Sequence, residues 1–140
     1  MPVPDAADGG PIVRVERPDV DVLFLEVADE APEIQAGWSD LEDKLGSLRG
    51  RRFFGAFDAG RYRVCVLRRD GDDPGALGLR SATLPGGPFL RIRLHGEPPE
   101  LYGRIPAAFA TLEATASRDA GRPGIEFYRR YDEVDVLMPV

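Results

Sequence analysis

One pattern constrains this chain more than any other: an extended segment, an amphipathic helix and a hairpin, and then the same order again. The first extended segment runs from Ile12 to Val27. Val20, Val22 and Phe24 alternate there with Leu23, Leu25 and Val27, so both faces are apolar, as in a central strand. Pro18 and Asp19 interrupt the run, which predicts a bend or bulge. Pro32 suits a first helical turn. Ile34, Trp38, Leu41, Leu45 and Leu48 follow at spacings of four, three, four and three, one apolar stripe over a helix near 33–48 that frays at Gly46 and Gly50. Arg52–Phe57 and Arg61–Leu67 then read as two strands joined at Asp58-Ala59-Gly60.

The second round begins with Ser81–His95, extended through Pro85-Gly86-Gly87-Pro88. A helix over about 100–117 presents Leu101, Ile105, Ala108, Leu112 and Thr115 or Ala116, with Phe109 beside them. Pro106 inside that pattern predicts a late start or a kink. Ile125–Arg130 and Glu133–Val140 close the chain as a hairpin. Phe54-Gly55-Ala56-Phe57 weakly echoes Ile125-Glu126-Phe127-Tyr128. The expected fold is α+β. Two strand-helix-strand-strand units form one antiparallel sheet, with both helices on one face and a ligand cleft on the other. Residues 1–11, rich in Pro, Gly and Asp, are expected to be a flexible tail, and 12–140 a single domain.

Several functions are disfavoured. The formal charge of −6 argues against a phosphate-backbone partner, so no direct nucleic-acid binding is expected. The pairs Arg51-Arg52, Arg68-Arg69 and Arg129-Arg130 sit among acidic residues and read as solvated strand edges. No apolar run is long enough to span a membrane, and the polar start, MPVPDAADGGP, is not a signal peptide; a cytoplasmic location is expected. The single cysteine, Cys65, lies in Val64-Cys65-Val66-Leu67 and reads as inert core. With one histidine, His95, neither a zinc nor a haem site is expected, and no dinucleotide or phosphate-loop motif is present, so the expected cofactor set is none. The aspartates of Asp70-Gly71-Asp72-Asp73-Pro74-Gly75 do not follow the calcium-loop spacing.

Gly124-Ile125-Glu126-Phe127-Tyr128, followed by Glu133-Val134-Asp135-Val136-Leu137-Met138-Pro139-Val140, resembles the C-terminal signature of GyrI-like domains, which are also the effector-binding domains of drug-responsive regulators. Trp38-Ser39-Asp40-Leu41, Arg52-Phe53-Phe54-Gly55 and Leu84-Pro85-Gly86-Gly87 agree with the same pattern in order and spacing. Phe89 departs from it, standing where a tyrosine is common. The resemblance implies a duplicated fold around a pocket at a pseudo-twofold axis, amphipathic aromatic or cationic ligands, and a place in that pocket for Glu126. No helix-turn-helix segment precedes residue 12, so a stand-alone form is expected.

The residues support Glu126 by a separate route. On a strand, Glu126 and Tyr128 share one face and Ile125 and Phe127 the other. If Ile125 and Phe127 pack on the helices, Glu126 faces the open side among aromatic rings; the plainer reading is an edge glutamate paired with Arg129. Trp38 is either core or pocket wall. Tyr128 shares the face of Glu126, and Tyr102 flanks the second helix stripe. Phe54, Phe57, Tyr62 and Phe89 are core or wall without distinction. The ligand-binding set expected is Glu126, Trp38, Tyr128, Tyr102, Phe57 and Phe89. Three functions follow from these residues and the resemblance. The first is binding of aromatic, amphipathic or cationic compounds for drug sensing, sequestration or resistance. The second is detoxifying hydrolysis of cyclopropane-bearing DNA-alkylating natural products, with Glu126 as general acid or base. The third is a gyrase-inhibitor-like module with a protein partner.

Overall fold

The structure, a computed structural model, describes residues 10–140; most of the expected tail therefore lies outside the described residues. Eight strands form one antiparallel sheet: β1 (Val13–Arg17), β2 (Val20–Ala28), β3 (Phe53–Asp58), β4 (Arg61–Leu67), β5 (Arg80–Leu84), β6 (Gly87–His95), β7 (Gly124–Arg130) and β8 (Glu133–Pro139). Their spatial order is β1-β6-β8-β7-β3-β4-β2-β5. Exchanging β1–β4 for β5–β8 reproduces this order in reverse, with β3 and β7 at the centre.

The expected interruption at Pro18-Asp19 separates β1 from β2, and Pro85-Gly86 likewise separates β5 from β6. The β1–β6 and β2–β5 ladders continue in one register across this corner, from Arg17 opposite Gly87 to Val20 opposite Leu84. A Cβ on Gly86 would stand 2.3 Å from the carbonyl oxygen of Arg17, so only glycine lets the two chains cross so closely. Because each edge strand is continuous with a strand on the far side of the sheet, the sheet must curl.

Helix α1 (Ala31–Leu45) starts with Pro32 in its first turn and stops at Gly46, whose φ of 73° leaves the helix. Leu48, expected on the stripe, lies beyond this stop and is exposed. A four-residue helix α2 (Pro74–Leu77) is capped by the Asp73 side chain. The second expected helix is two pieces, α3 (Glu100–Gly103) and α4 (Ile105–Thr115), divided at Arg104 just before Pro106. Proline cannot donate to the preceding turn, so the helix restarts there. Leu101, Ile105, Ala108, Phe109 and Leu112 are buried, as the spacing predicts. No helix among the described residues is long and apolar enough to cross a membrane.

α1 packs on β2 and β4, and α4 on β6 and β8, all on one face of the sheet. Leu41 of α1 packs with Leu23, Val64 and Val66 of the sheet, and Leu112 of α4 with Ile92, Leu94, Val134, Val136 and Met138. The other face holds a separate core of Val22, Phe24, Phe54, Cys65, Leu84, Phe89, Ile125 and Leu137, closed by curling. Arginines cover it: Arg63 and Arg80 lie over Phe24 at 4.2 and 5.0 Å, Arg17 over Phe127 at 5.0 Å and Arg122 over Phe89 at 4.9 Å. Their apolar stems and guanidinium planes do the work that a helix does on the opposite side.

Candidate functional site

The helices sit over the outer strands, so the central pair, β3 and β7, forms the floor of a cleft between α1 and α3–α4. This corrects the expectation that the cleft opens on the helix-free face. Ile125 and Phe127 pack in the helix-free core, and the strand alternation turns Glu126 and Tyr128 toward the helices. The cavity has a volume of about 530 Å³. Asp29, Glu113 and Glu126 line it with Gln35 and aromatic and aliphatic side chains, and among the described residues none in its lining is Lys, Arg or His.

Glu126 is 7% exposed. It lies opposite Gly55 in the β3–β7 ladder, and Tyr62 on β4 reaches it by leaning across Gly55. A Cβ at position 55 would stand 1.9 Å from the Tyr62 hydroxyl and 2.8 Å from Oε1 of Glu126. Glycine here is therefore a requirement of the site. Tyr62 donates to Glu126 Oε1 at 2.6 Å and Tyr128 donates to the same oxygen at 2.5 Å, with the two hydroxyls 3.5 Å apart. Burial pushes the Glu126 carboxyl above its ordinary value; the two phenols pull it back by bonding to the ionised form, and Asp29 adds to the upward push. Burial and the adjacent carboxylate hold both phenols well above the usual tyrosine range, so they remain donors.

Rings enclose this group. Trp38 makes edge contacts with Tyr128 at 5.4 Å, Phe53 at 6.1 Å and Tyr62 at 6.4 Å. Tyr102 meets Tyr128 at 5.8 Å, and Phe57 meets Phe109 at 4.5 Å. A smaller cavity of about 220 Å³ adjoins, lined by Trp38, Glu42, Phe53, Tyr102 and Tyr128.

Of the residues expected from sequence, Glu126, Trp38, Tyr128, Tyr102 and Phe57 converge on the cleft. Phe89 does not. It is 1% exposed in the opposite core, because β6 alternation places it on the face of Arg91 and Arg93. Tyr62, left undecided between core and wall, is a direct partner of the carboxylate. Its alternation with Val64 and Val66 was legible, but its reach over Gly55 depends on the β3–β4 register. Asp29, Phe109 and Glu113 carry no sequence signal that assigns them to the site, since nothing local in sequence says that the two helices face each other. Arg129, the plainer partner for Glu126, bonds Glu133 on the other face. In the aspartate-rich loop, Asp72 receives Arg51 at 2.7 and 2.8 Å while Asp73 caps α2. Among the described residues no group of His, Cys, Asp or Glu is arranged to hold a metal ion.

No protein-family model and no curated protein matches this sequence. Solved structures do share its fold. An integron cassette protein from the mobile metagenome of Vibrio cholerae superposes with a TM-score of 0.74 at 14% identity, covering 92% of this chain and 95% of the other. SAV2435 bound to tetraphenylphosphonium gives 0.69 at 12% identity over 92% and 93%. The EcmrR C-terminal domain gives 0.60 at 12% identity over 91% and 95%. The curled antiparallel α+β fold is thus shared with these three proteins, of which SAV2435 was solved with tetraphenylphosphonium bound.

Proposed function

We propose that this chain is a GyrI-like domain that binds amphipathic aromatic cations, as a sensing or sequestering protein for drug-like compounds. In this reading the palindromic strand order reflects duplication of a strand-helix-hairpin unit, with the site at its pseudo-twofold axis. The observation that carries the proposal is the composition of the cleft: aromatic walls, a buried carboxylate at the floor, two more carboxylates, and among the described residues no cationic side chain in its lining. A delocalised cation loses little hydration on entering such a site and gains both ring-quadrupole and carboxylate attraction. The tetraphenylphosphonium complex of SAV2435, a protein of like fold, supports the same ligand class.

The test uses tetraphenylphosphonium and its anionic counterpart of equal shape, tetraphenylborate, read by Trp38 emission. The cation is expected to bind and change the emission, and the anion to bind at least about a hundredfold more weakly, roughly 2.7 kcal/mol. Equal binding of both ions would overturn the proposal.

The hydrogen-bonded Tyr62–Glu126–Tyr128 group also supports a second reading, hydrolysis of an electrophilic cyclopropane-bearing compound. A carboxyl group raised by burial can protonate a leaving group and, once ionised, take a proton from attacking water. Glu126→Gln is then expected to lower turnover by about a hundredfold or more while largely preserving affinity for a neutral compound. Equal product formation by both proteins would eliminate Glu126 as the proton-transfer group.

A further inference from the structure

The smaller cavity beside the main cleft has a chemistry of its own. Four rings, Trp38, Phe53, Tyr102 and Tyr128, and one carboxylate, Glu42, line a half-open space of about 220 Å³. Several rings around a small volume, with a single acid, is the arrangement that recognises quaternary ammonium groups, because each ring face offers negative potential without the hydration a carboxylate cluster carries. Glu42 follows Trp38 by one helical turn on α1, which places the two side by side on the helix surface. Trp38, Tyr102 and Tyr128 line both cavities, and Tyr128 contacts the other two edge to face. Glu126 reaches these rings through its bond from Tyr128, and Glu42 contributes to the electrostatics of Tyr102.

We infer that the smaller cavity is a second subsite, a cage for a compact alkylammonium head, and that the ligands this protein prefers are dications. A flat aromatic cation would lie in the main cleft over Glu126, and a short flexible arm would carry a second, quaternary nitrogen into the cage beside Glu42. The inference rests on the proposed cation-binding role of the main cleft and specifies which cations it favours. The volumes set the order: about 530 Å³ holds a fused aromatic system, whereas about 220 Å³ suits a tetraalkylammonium group.

Ethidium and propidium test this as a matched pair. They share one phenanthridinium ring; propidium alone carries a quaternary ammonium on a propyl arm. Both are expected to bind wild type, propidium at least about tenfold tighter. Glu42→Gln, outside the lining of the main cleft, is expected to erase most of that advantage while leaving ethidium affinity within about twofold, and Phe53→Leu is separately expected to erase most of it as well. Asp43→Asn, an exposed acid on the same helix outside both linings, is the control and is expected to change neither ligand. Equal affinity of the two dyes for wild type would overturn the subsite. So would a propidium advantage that survives both cage substitutions, or one that Asp43→Asn reduces as much as Glu42→Gln does, since that would be general attraction to an acidic helix. If neither dye nor tetraphenylphosphonium binds, the main-cleft reading fails first, and the subsite fails with it.

Discussion

The two faces of the sheet handle buried carboxylates in opposite ways. On the helix-free face Asp135 and Glu133 are 2% and 6% exposed, and each has a cationic partner within the chain. Arg93 bonds Asp135 at 2.7 and 3.1 Å, Arg129 bonds Glu133, and His95 lies 2.6 Å from Glu133. On the helical face Glu126 is 7% exposed, and among the described residues the groups that act on it are two neutral phenols and another acid, Asp29. Burial pushes the Glu133 carboxyl up, but His95, Arg129 and Arg93 bring it below its ordinary value; burial raises Glu126, and its two phenols offset that only in part. The lesson is that burial alone does not mark a functional acid. In the proposed reading, the acid that lacks a counter-charge is the one that meets the ligand.

The largest expected effect comes from breaking the compensated face. Arg93→Ala strands Asp135 and is expected to cost about 3 kcal/mol in urea denaturation. That is the low end for a buried pair, because Arg93 is 31% exposed and Arg129 stands 4.0 Å from the second carboxylate oxygen. Gly55→Ala comes next. Its methyl group must displace the Tyr62 hydroxyl and so deprives Glu126 of one donor, at an expected cost of about 1–2 kcal/mol. Tyr62→Phe isolates the hydrogen-bond part of that loss without the steric part.

Glu126→Gln should behave quite differently from Arg93→Ala, since it removes a charge for which the fold supplies no counter-charge. It is expected to leave stability at pH 7 unchanged or raise it by up to about 1 kcal/mol. The pH dependence follows from the sign of the shift. A carboxyl raised on folding loses its proton first in the unfolded chain. Its contribution is therefore fully present below the ordinary value of 4.5 and is lost as pH rises through the folded value. Asp72, held at about 2 by Arg51, has the opposite slope: its stabilisation is present above the ordinary aspartate range and is lost as pH falls toward about 2. Denaturation midpoints of wild type minus Glu126→Gln, followed upward from pH 4, should decline and then level. A flat difference would mean that Glu126 is not perturbed.

Much of this fold was legible because its signals are local. Val20–Val27 shows both faces apolar, the stripe Ile34-Trp38-Leu41-Leu45 has helical spacing, and Pro106 marks its own break. The face on which the site opens was not legible. Alternation put Glu126 and Tyr128 together and apart from Ile125 and Phe127, but two apolar alternating sets cannot say which of them the helices cover. That depends on strand order, which places β3 and β7 between the helices, and on curling, which lets Ile125 and Phe127 be buried without a helix. Phe89 was misplaced for the same reason: in a sheet with two cores a buried aromatic has two destinations. Tyr62 became a partner of Glu126 only through a three-strand register across Gly55.

The central claim is that a bound cation supplies the charge Glu126 lacks, and calorimetry of proton release tests it most directly. A cation beside the carboxylate lowers a value that burial had raised, so binding must expel a proton at pH values between the two. Tetraphenylphosphonium titrated into wild type between pH 4.5 and 7, in buffers of differing ionisation enthalpy, is expected to show proton release of up to about one equivalent and an affinity that climbs with pH. Glu126→Gln is expected to bind more weakly, release no proton and show no such climb. Proton release and pH dependence that are the same in both proteins would contradict the account.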